Sequence, residues 1–253
     1  MKTNSPEAMA NFKTYLLAAS VFFCCCKPPA SGGKAVQQQS QQKDSVYTYK
    51  RSSKNGIGKF YKGREIAQVM GFSGAGWLER DTRNQEENVE LAVKNLPVDK
   101  KSVVADIGAG TGFYTYRIAP KVSKVIAIEL EDEALDYLKK RSKELKQNNV
   151  EVVKGAEKAP NLPDNSIDLA LMVDVYHELE FPHEYLQALY KALKTGGKIV
   201  MLEYKGEDPE VPIKDLHKTT LVQISKELTA NGFKFVEDKE GLPMQHFLIY
   251  QKQ

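Results

Sequence analysis

Asp106, Gly108, Gly110 and Gly112 lie in VVADIGAGTGFY (residues 103–114), where alternate glycines follow a short apolar run. Glycines at this spacing leave the backbone bare, so a ligand can approach it closely. A dinucleotide fingerprint would need its third glycine where Phe113 stands, and a phosphate loop would need a lysine that this loop lacks. Asp106, two residues before Gly108, sets a fixed anion beside the loop. That suits a ligand with a cationic end better than a pyrophosphate. Further along, Tyr176, His177 and Glu178 stand together, and His217 lies in PIKDLHKTT. Histidine titrates near neutrality and suits work as a general base. Tyr176, His177 and His217 are therefore the candidate catalytic residues. His183 reads as a helix-surface residue and His246 as structural, and the sequence assigns no metal site.

The elements that must position these residues follow from periodicity. SVVADI (102–107) reads as a buried strand, and KVIAIEL (124–130), VEVVKG (150–155), IDLALMVD (167–174) and KIVMLEY (198–204) read as further strands. Helices are expected over 113–119, 132–147, 182–194 and 219–231, with Gly196-Gly197 closing the third as a C-terminal cap. Upstream, 64–70 and 85–95 also carry helical spacing, separated by the glycine-rich GFSGAGWLERDTR (71–83). KFVEDKE (234–240) and QHFLIYQK (245–252) are late strands joined by a short loop, which points to an antiparallel finish. Alternating strands and helices specify an α/β fold, a doubly wound, mostly parallel sheet with helices on both faces. Such a sheet binds its ligand beyond the strand ends, with negative groups facing a helix N-terminus.

DIGAGTG resembles the nucleotide loop of class I S-adenosylmethionine-dependent methyltransferases, whose ligand carries an α-ammonium group and a sulfonium. The resemblance spans about residues 85–253. It implies a Rossmann-like seven-stranded sheet with an antiparallel last strand and S-adenosylmethionine as cofactor. It also implies that Glu129, at the end of the second strand, accepts hydrogen bonds from the ribose hydroxyls, and that Asp174 lines the methionine end. In that family an acid near the adenine amino group follows the third strand; here Ala156 holds its usual place and Glu157 comes one step later. Trp77, the only tryptophan, and Arg80 sit in the segment expected to cover the pocket and are candidate contacts to acceptor or cofactor. The implied reaction is in-line methyl transfer. Two alternatives remain, an NAD-dependent oxidoreductase and a non-catalytic binding protein that keeps the fold.

Charge is nearly balanced, with 36 basic and 33 acidic residues, so no electrostatic footprint for nucleic acid is legible and a small-molecule acceptor is expected. All cysteines are consecutive, at 24–26, which excludes a disulfide, a thiolate zinc site or a catalytic cysteine from residues 27–253. YLLAASVFF (15–23) before those cysteines resembles a bacterial lipoprotein signal, implying a membrane-anchored, exported chain; the alternative is a hydrophobic tail on a cytoplasmic protein. Residues 27–45 are rich in Gln and Ser and lack the apolar side chains that offset ordering entropy, as in a flexible tether. The expected organisation is a leader over 1–26, a linker over 27–45 and a domain over 46–253. Within that domain, 46–95 is expected to form a cap and 96–253 the core.

Overall fold

The structure is a computed structural model that describes residues 46–253, so the expected leader and linker lie outside the described residues. The domain opens with a small antiparallel sheet of β1 (Tyr47–Tyr49), β2 (Gly56–Tyr61) and β3 (Arg64–Ala67). The helical spacing read over 64–70 is therefore overturned. Ala67 pairs with Gly56 of β2 and Ile66 packs on Tyr47 and Tyr61, both buried, and a tertiary pairing of this kind outweighs weak local propensity. The helix expected over 85–95 is present but divided. Asn88, at φ 53°, separates α1 (Arg83–Glu87) from α2 (Val89–Asn95).

The main sheet has seven strands: β4 (Val103–Ile107), β5 (Lys124–Glu129), β6 (Val150–Lys154), β7 (Ile167–Val173), β8 (Leu193–Tyr204), β9 (Phe233–Asp238) and β10 (Gln245–Lys252). Their order is β6-β5-β4-β7-β8-β10-β9. The pairs from β6 through β8 are parallel, and β10 runs antiparallel to both neighbours. This is the doubly wound, Rossmann-like sheet that the strand pattern predicts. The order reverses between β4 and β7, which opens a crevice beyond their carboxyl ends.

Side chains alternate across this sheet into two cores. Ala105, Ile126, Ala170, Ile199 and Leu248 face one, and Val104, Val125, Leu169, Val200 and Phe247 face the other. Crossover helices seal both faces. In α4 (Asp132–Glu144), Ala134, Leu135 and Leu138 form the buried stripe, and acids in the first turn and bases in the last complement the helix dipole. Thr220 caps α6 (Leu221–Thr229) by accepting from the Gln223 N–H at 3.1 Å. The helix after β4, α3 (Thr115–Ile118), is short and runs into a tighter turn over Ala119–Lys121. The helix α5 (Pro182–Ala192) ends at Leu193 in extended backbone rather than at the glycines, because Leu193 already begins β8 beside Ile167.

Candidate functional site

The sharp turn after β4 is built from backbone that only glycine adopts readily. Gly108 and Gly110 have φ of +65° and +56°. A Cβ at Gly108 would lie 2.5 Å from Val175 Cγ2, and one at Gly110 would lie 2.8 Å from Leu78 Cδ1. The turn is pinned to β5, where Gly108 N–H and Ala109 N–H both donate to the Ile128 carbonyl at 2.9 and 3.1 Å. Gly110 N–H donates to Glu129 Oε1 at 2.6 Å, and Leu130 N–H donates to Glu129 Oε2 at 3.0 Å. Each carboxylate oxygen keeps a further lone pair for a hydroxyl donor. Burial pushes the Glu129 carboxyl up, against the pull of those two backbone donors.

Beyond this turn lies a cavity of about 520 Å³. That is within the range of about 300–1,000 Å³ common for small-molecule sites. Gly108, Gly110, Glu129, Glu157 and Asp174 all line it, so five of the seven expected cofactor residues share one wall system. Gly112 lies under Tyr116, one layer deeper. Asp106 is also set back. Its buried carboxylate accepts from Thr115 Oγ1 at 2.5 Å, and β4 presents Ile107 to the cavity instead. Burial, with the Glu129 charge adding to it, lifts the Asp106 carboxyl to about 7, although the Thr115 hydroxyl pulls the other way. Asp174 takes φ +52° and accepts twice from Gln245 Nε2 at 2.9 Å; burial and the nearby Glu87 and Glu203 carboxylates raise its pKa well above the usual range.

One side of the cavity is closed by a short helix over Phe72–Glu79, which brings Phe72, Trp77 and Leu78 onto it. Arg80 does not line the cavity. Its guanidinium stacks on the Trp77 ring at 3.7 Å and pairs with Glu86 and Glu87 at 2.6 and 2.7 Å. Glu87 is fully buried and also receives Arg83 Nε at 2.8 Å and Tyr204 Oη at 2.8 Å. Arg83 in turn donates to the Leu78 carbonyl at 2.8 Å. Arg80 and Arg83 thus position the covering segment.

His177, Glu178 and His217 converge on another wall of the cavity. His177 Nε2 lies 3.1 Å from His217 Nδ1, and His177 Nδ1 lies 2.6 Å from Glu203 Oε2. Burial works against the charged imidazole of His177, but the Glu203 and Glu178 carboxylates overcome it and raise its pKa to about 10. Burial also opposes the Glu178 charge, yet hydrogen bonding to His177 and His217 pulls that carboxyl down to about 2. Tyr176 is apart from this group. It is fully buried, faces away from the cavity and donates to Glu227 Oε2 at 2.6 Å. His183 binds Asn231 Oδ1 at 2.8 Å, and His246 binds Glu207 Oε2 at 2.9 Å, both outside the cavity lining.

Glu203, Glu87, Arg83 and Gln245 organise this site without having been singled out by sequence reasoning. Glu203 carried the clearest signal. It is a lone carboxylate near the end of KIVMLEY, a strand otherwise buried on both faces, and such a charge needs partners. Here it accepts from Val175 N–H, Tyr176 N–H and His177.

Residues 105–201 match a family model described as a methyltransferase domain. A probable cobalt-precorrin-6B C(15)-methyltransferase (decarboxylating) from Sulfurisphaera tokodaii is 32% identical over 128 residues, covering 49% of this chain and 65% of that protein. A tRNA U34 carboxymethyltransferase from Desulfotalea psychrophila is 31% identical over 121 residues, covering 47% and 37%. The chain spans about half the length of the curated relatives it matches. Among solved structures, a SAM-dependent methyltransferase from Aquifex aeolicus superposes with a TM-score of 0.67 at 25% identity, over 72% of this chain and 98% of that one. Together with the bare turn and the cavity beyond it, these findings give the chain a methyltransferase-like domain similar to class I S-adenosylmethionine-dependent methyltransferases and support S-adenosylmethionine as the cofactor.

Proposed function

We propose that this protein transfers the methyl group of S-adenosylmethionine to a small-molecule acceptor. The observation that carries the reading is one cavity with two kinds of wall. The glycine turn and Glu129 suit the donor, and His217, held beside Glu178 and the charged His177, suits an acceptor that must lose a proton. Bound there, the cofactor supplies a methyl carbon already activated by sulfonium. The chain's part is to hold, align and exclude water.

Glu129 would accept from the ribose hydroxyls, and Asp174 would face the methionine end. Gly108 and Gly110 allow the backbone to come within contact distance of the ligand. Phe72, Trp77 and Leu78 cover the site, which favours a reaction that disperses charge as sulfur becomes neutral. Alignment of two bound reactants contributes roughly 7–11 kcal/mol in well-oriented systems. A small acceptor is supported by the covered, bounded space and by the balanced charge of the chain. Titration calorimetry tests the donor assignment. S-adenosylmethionine should bind and NAD should not, and the reverse outcome would move the chain to the oxidoreductases. Metabolite profiling of a deletion strain then seeks the acceptor, and absence of turnover with every metabolite that accumulates would favour a binding protein.

We further infer that the leader anchors the chain to a membrane through one of residues 24–26, with 27–45 as tether. Replacing Cys24, Cys25 and Cys26 with serine should move the protein from the membrane to the soluble fraction. Unaltered fractionation would remove the anchor.

A further inference from the structure

His177, Glu178 and His217 bring three atoms that can ligate a cation, once the histidine nitrogens give up their protons, to one point. His177 Nε2 and His217 Nδ1 are 3.1 Å apart, His217 Nδ1 and Glu178 Oε1 are 3.3 Å apart, and His177 Nε2 and Glu178 Oε1 are 3.7 Å apart. Three ligands at the roughly 2.0–2.1 Å bond lengths of a tetrahedral zinc site stand about 3.3 Å from one another. The three observed separations bracket that edge length.

The supporting residues agree. Glu203 Oε2 takes the other ring nitrogen of His177 at 2.6 Å, so Nδ1–H stays engaged and Nε2 faces inward, where a cation would displace its proton. Metal-binding histidines are held by a carboxylate in this way. Glu203 is itself fixed by Val175 N–H at 3.2 Å and Tyr176 N–H at 2.8 Å, so the ring has a rigid support. Glu178 Oε1 also accepts from Met70 N–H at 3.2 Å, which orients it and leaves its second lone pair facing the two histidines, where a cation would take it. His217 Nε2 is buried without a partner among the described residues, so hydrogen bonding does not set the orientation of this ring through that atom. Two carboxylates beside two imidazoles supply the charge that balances a divalent cation.

We propose that His177 Nε2, His217 Nδ1 and Glu178 Oε1 form a three-ligand site for a divalent first-row transition cation of the zinc class, with the remaining position open to the cavity. Two nitrogens and one oxygen suit such an ion better than magnesium or calcium, which favour oxygen ligands. Three protein ligands with one position free is the pattern of a reactive rather than a structural site. All three ligands line the cavity, so the open position faces the space assigned to the acceptor. An acceptor hydroxyl or thiol ligated there would release its proton to solvent more readily than in water, through the charge of the cation. This narrows the acceptor to molecules with such a group. That last step rests on the methyltransferase reading; cation binding does not.

The test uses the full chain carrying Cys24→Ser, Cys25→Ser and Cys26→Ser, so that thiolates contribute nothing. The protein is stripped with a chelator, dialysed against Zn²⁺ without donor, and assayed for bound metal by elemental analysis. About one cation per chain is expected, with His217→Gln and Glu178→Gln each weakening binding at least about tenfold and Glu203→Gln weakening it by about 10–100-fold. Failure of the parent chain to retain zinc, or equal retention in His217→Gln and Glu178→Gln, would overturn the site. Should those variants fail to fold, Co²⁺ titration of the parent decides. Intense visible bands of a four-coordinate ion support the site, and the faint absorption of a hydrated ion overturns it. Calorimetry with S-adenosylmethionine on the same samples separates the two readings. Lost donor binding with metal retained strikes the methyltransferase assignment, and lost metal with donor binding intact strikes only this proposal.

Discussion

Asp106 offers the most quantitative check on the site, because its carboxyl is buried on β4 with Thr115 as its side-chain partner. Its pKa rises from 3.8 to about 7 in the folded chain. The native state therefore holds a proton there that the unfolded state has already released, so stability falls as pH rises from about 4 to about 7. Three pK units at about 1.36 kcal/mol each give a loss of about 4 kcal/mol, of which roughly 2–3 kcal/mol falls between pH 5 and 8. Asp106→Asn keeps the shape and the oxygen that accepts from Thr115 but removes the charge. Its stability relative to the parent should therefore climb by roughly 2–3 kcal/mol from pH 5 to pH 8, because contributions from groups not coupled to Asp106 cancel in the difference. Urea unfolding of both proteins at pH 5, 6, 7 and 8 measures this directly. A difference that stays flat across that range would refute the buried-carboxylate argument, as would one that falls.

Other predictions concern the turn, the covering segment and the donor. Gly110→Ala places a Cβ 2.8 Å from Leu78 Cδ1 at φ +56°, so it should cost about 1–2 kcal/mol in urea unfolding and weaken S-adenosylmethionine binding in calorimetry. Glu129→Ala removes a charged acceptor, and the affinity for S-adenosylmethionine should drop about tenfold or more while that for adenine changes little. Glu87→Gln leaves Arg80 and Arg83 without their shared carboxylate; denaturation should show a loss of about 3–5 kcal/mol, and limited proteolysis should open the chain near residues 72–79.

The middle of the central sheet was legible because its inner strands are buried on both faces and therefore show as nearly continuous apolar runs, as in VVADI and IDLALMV, whereas the edge strands β6 and β9 are largely exposed. The turn was legible because three glycines at alternate positions have few other uses. Residues 64–70 misled for the opposite reason. REIA is short, and its apolar residues fit a helix face as well as a strand edge until β2 is placed beside it. The convergence of His177 and His217 could not be read at all. Forty residues separate them, and only the packing of the turn after β7 against the Asp215–His217 turn brings the rings to 3.1 Å. Glu203 and Glu87 were hidden likewise, since a buried charge announces that it needs partners without saying which.

The position of β10 bears on how this chain is made. Among the described residues, β9 pairs with β10 alone, and β10 is formed from residues that emerge after every other strand. During synthesis, β8 must present a bare flank and β9 must wait unpaired until 245–252 arrive between them. An open flank of that kind invites pairing with other chains. The nascent domain is thus most exposed to aggregation just before β10 slots in, and a deletion that removes those eight residues would leave β9 unpaired.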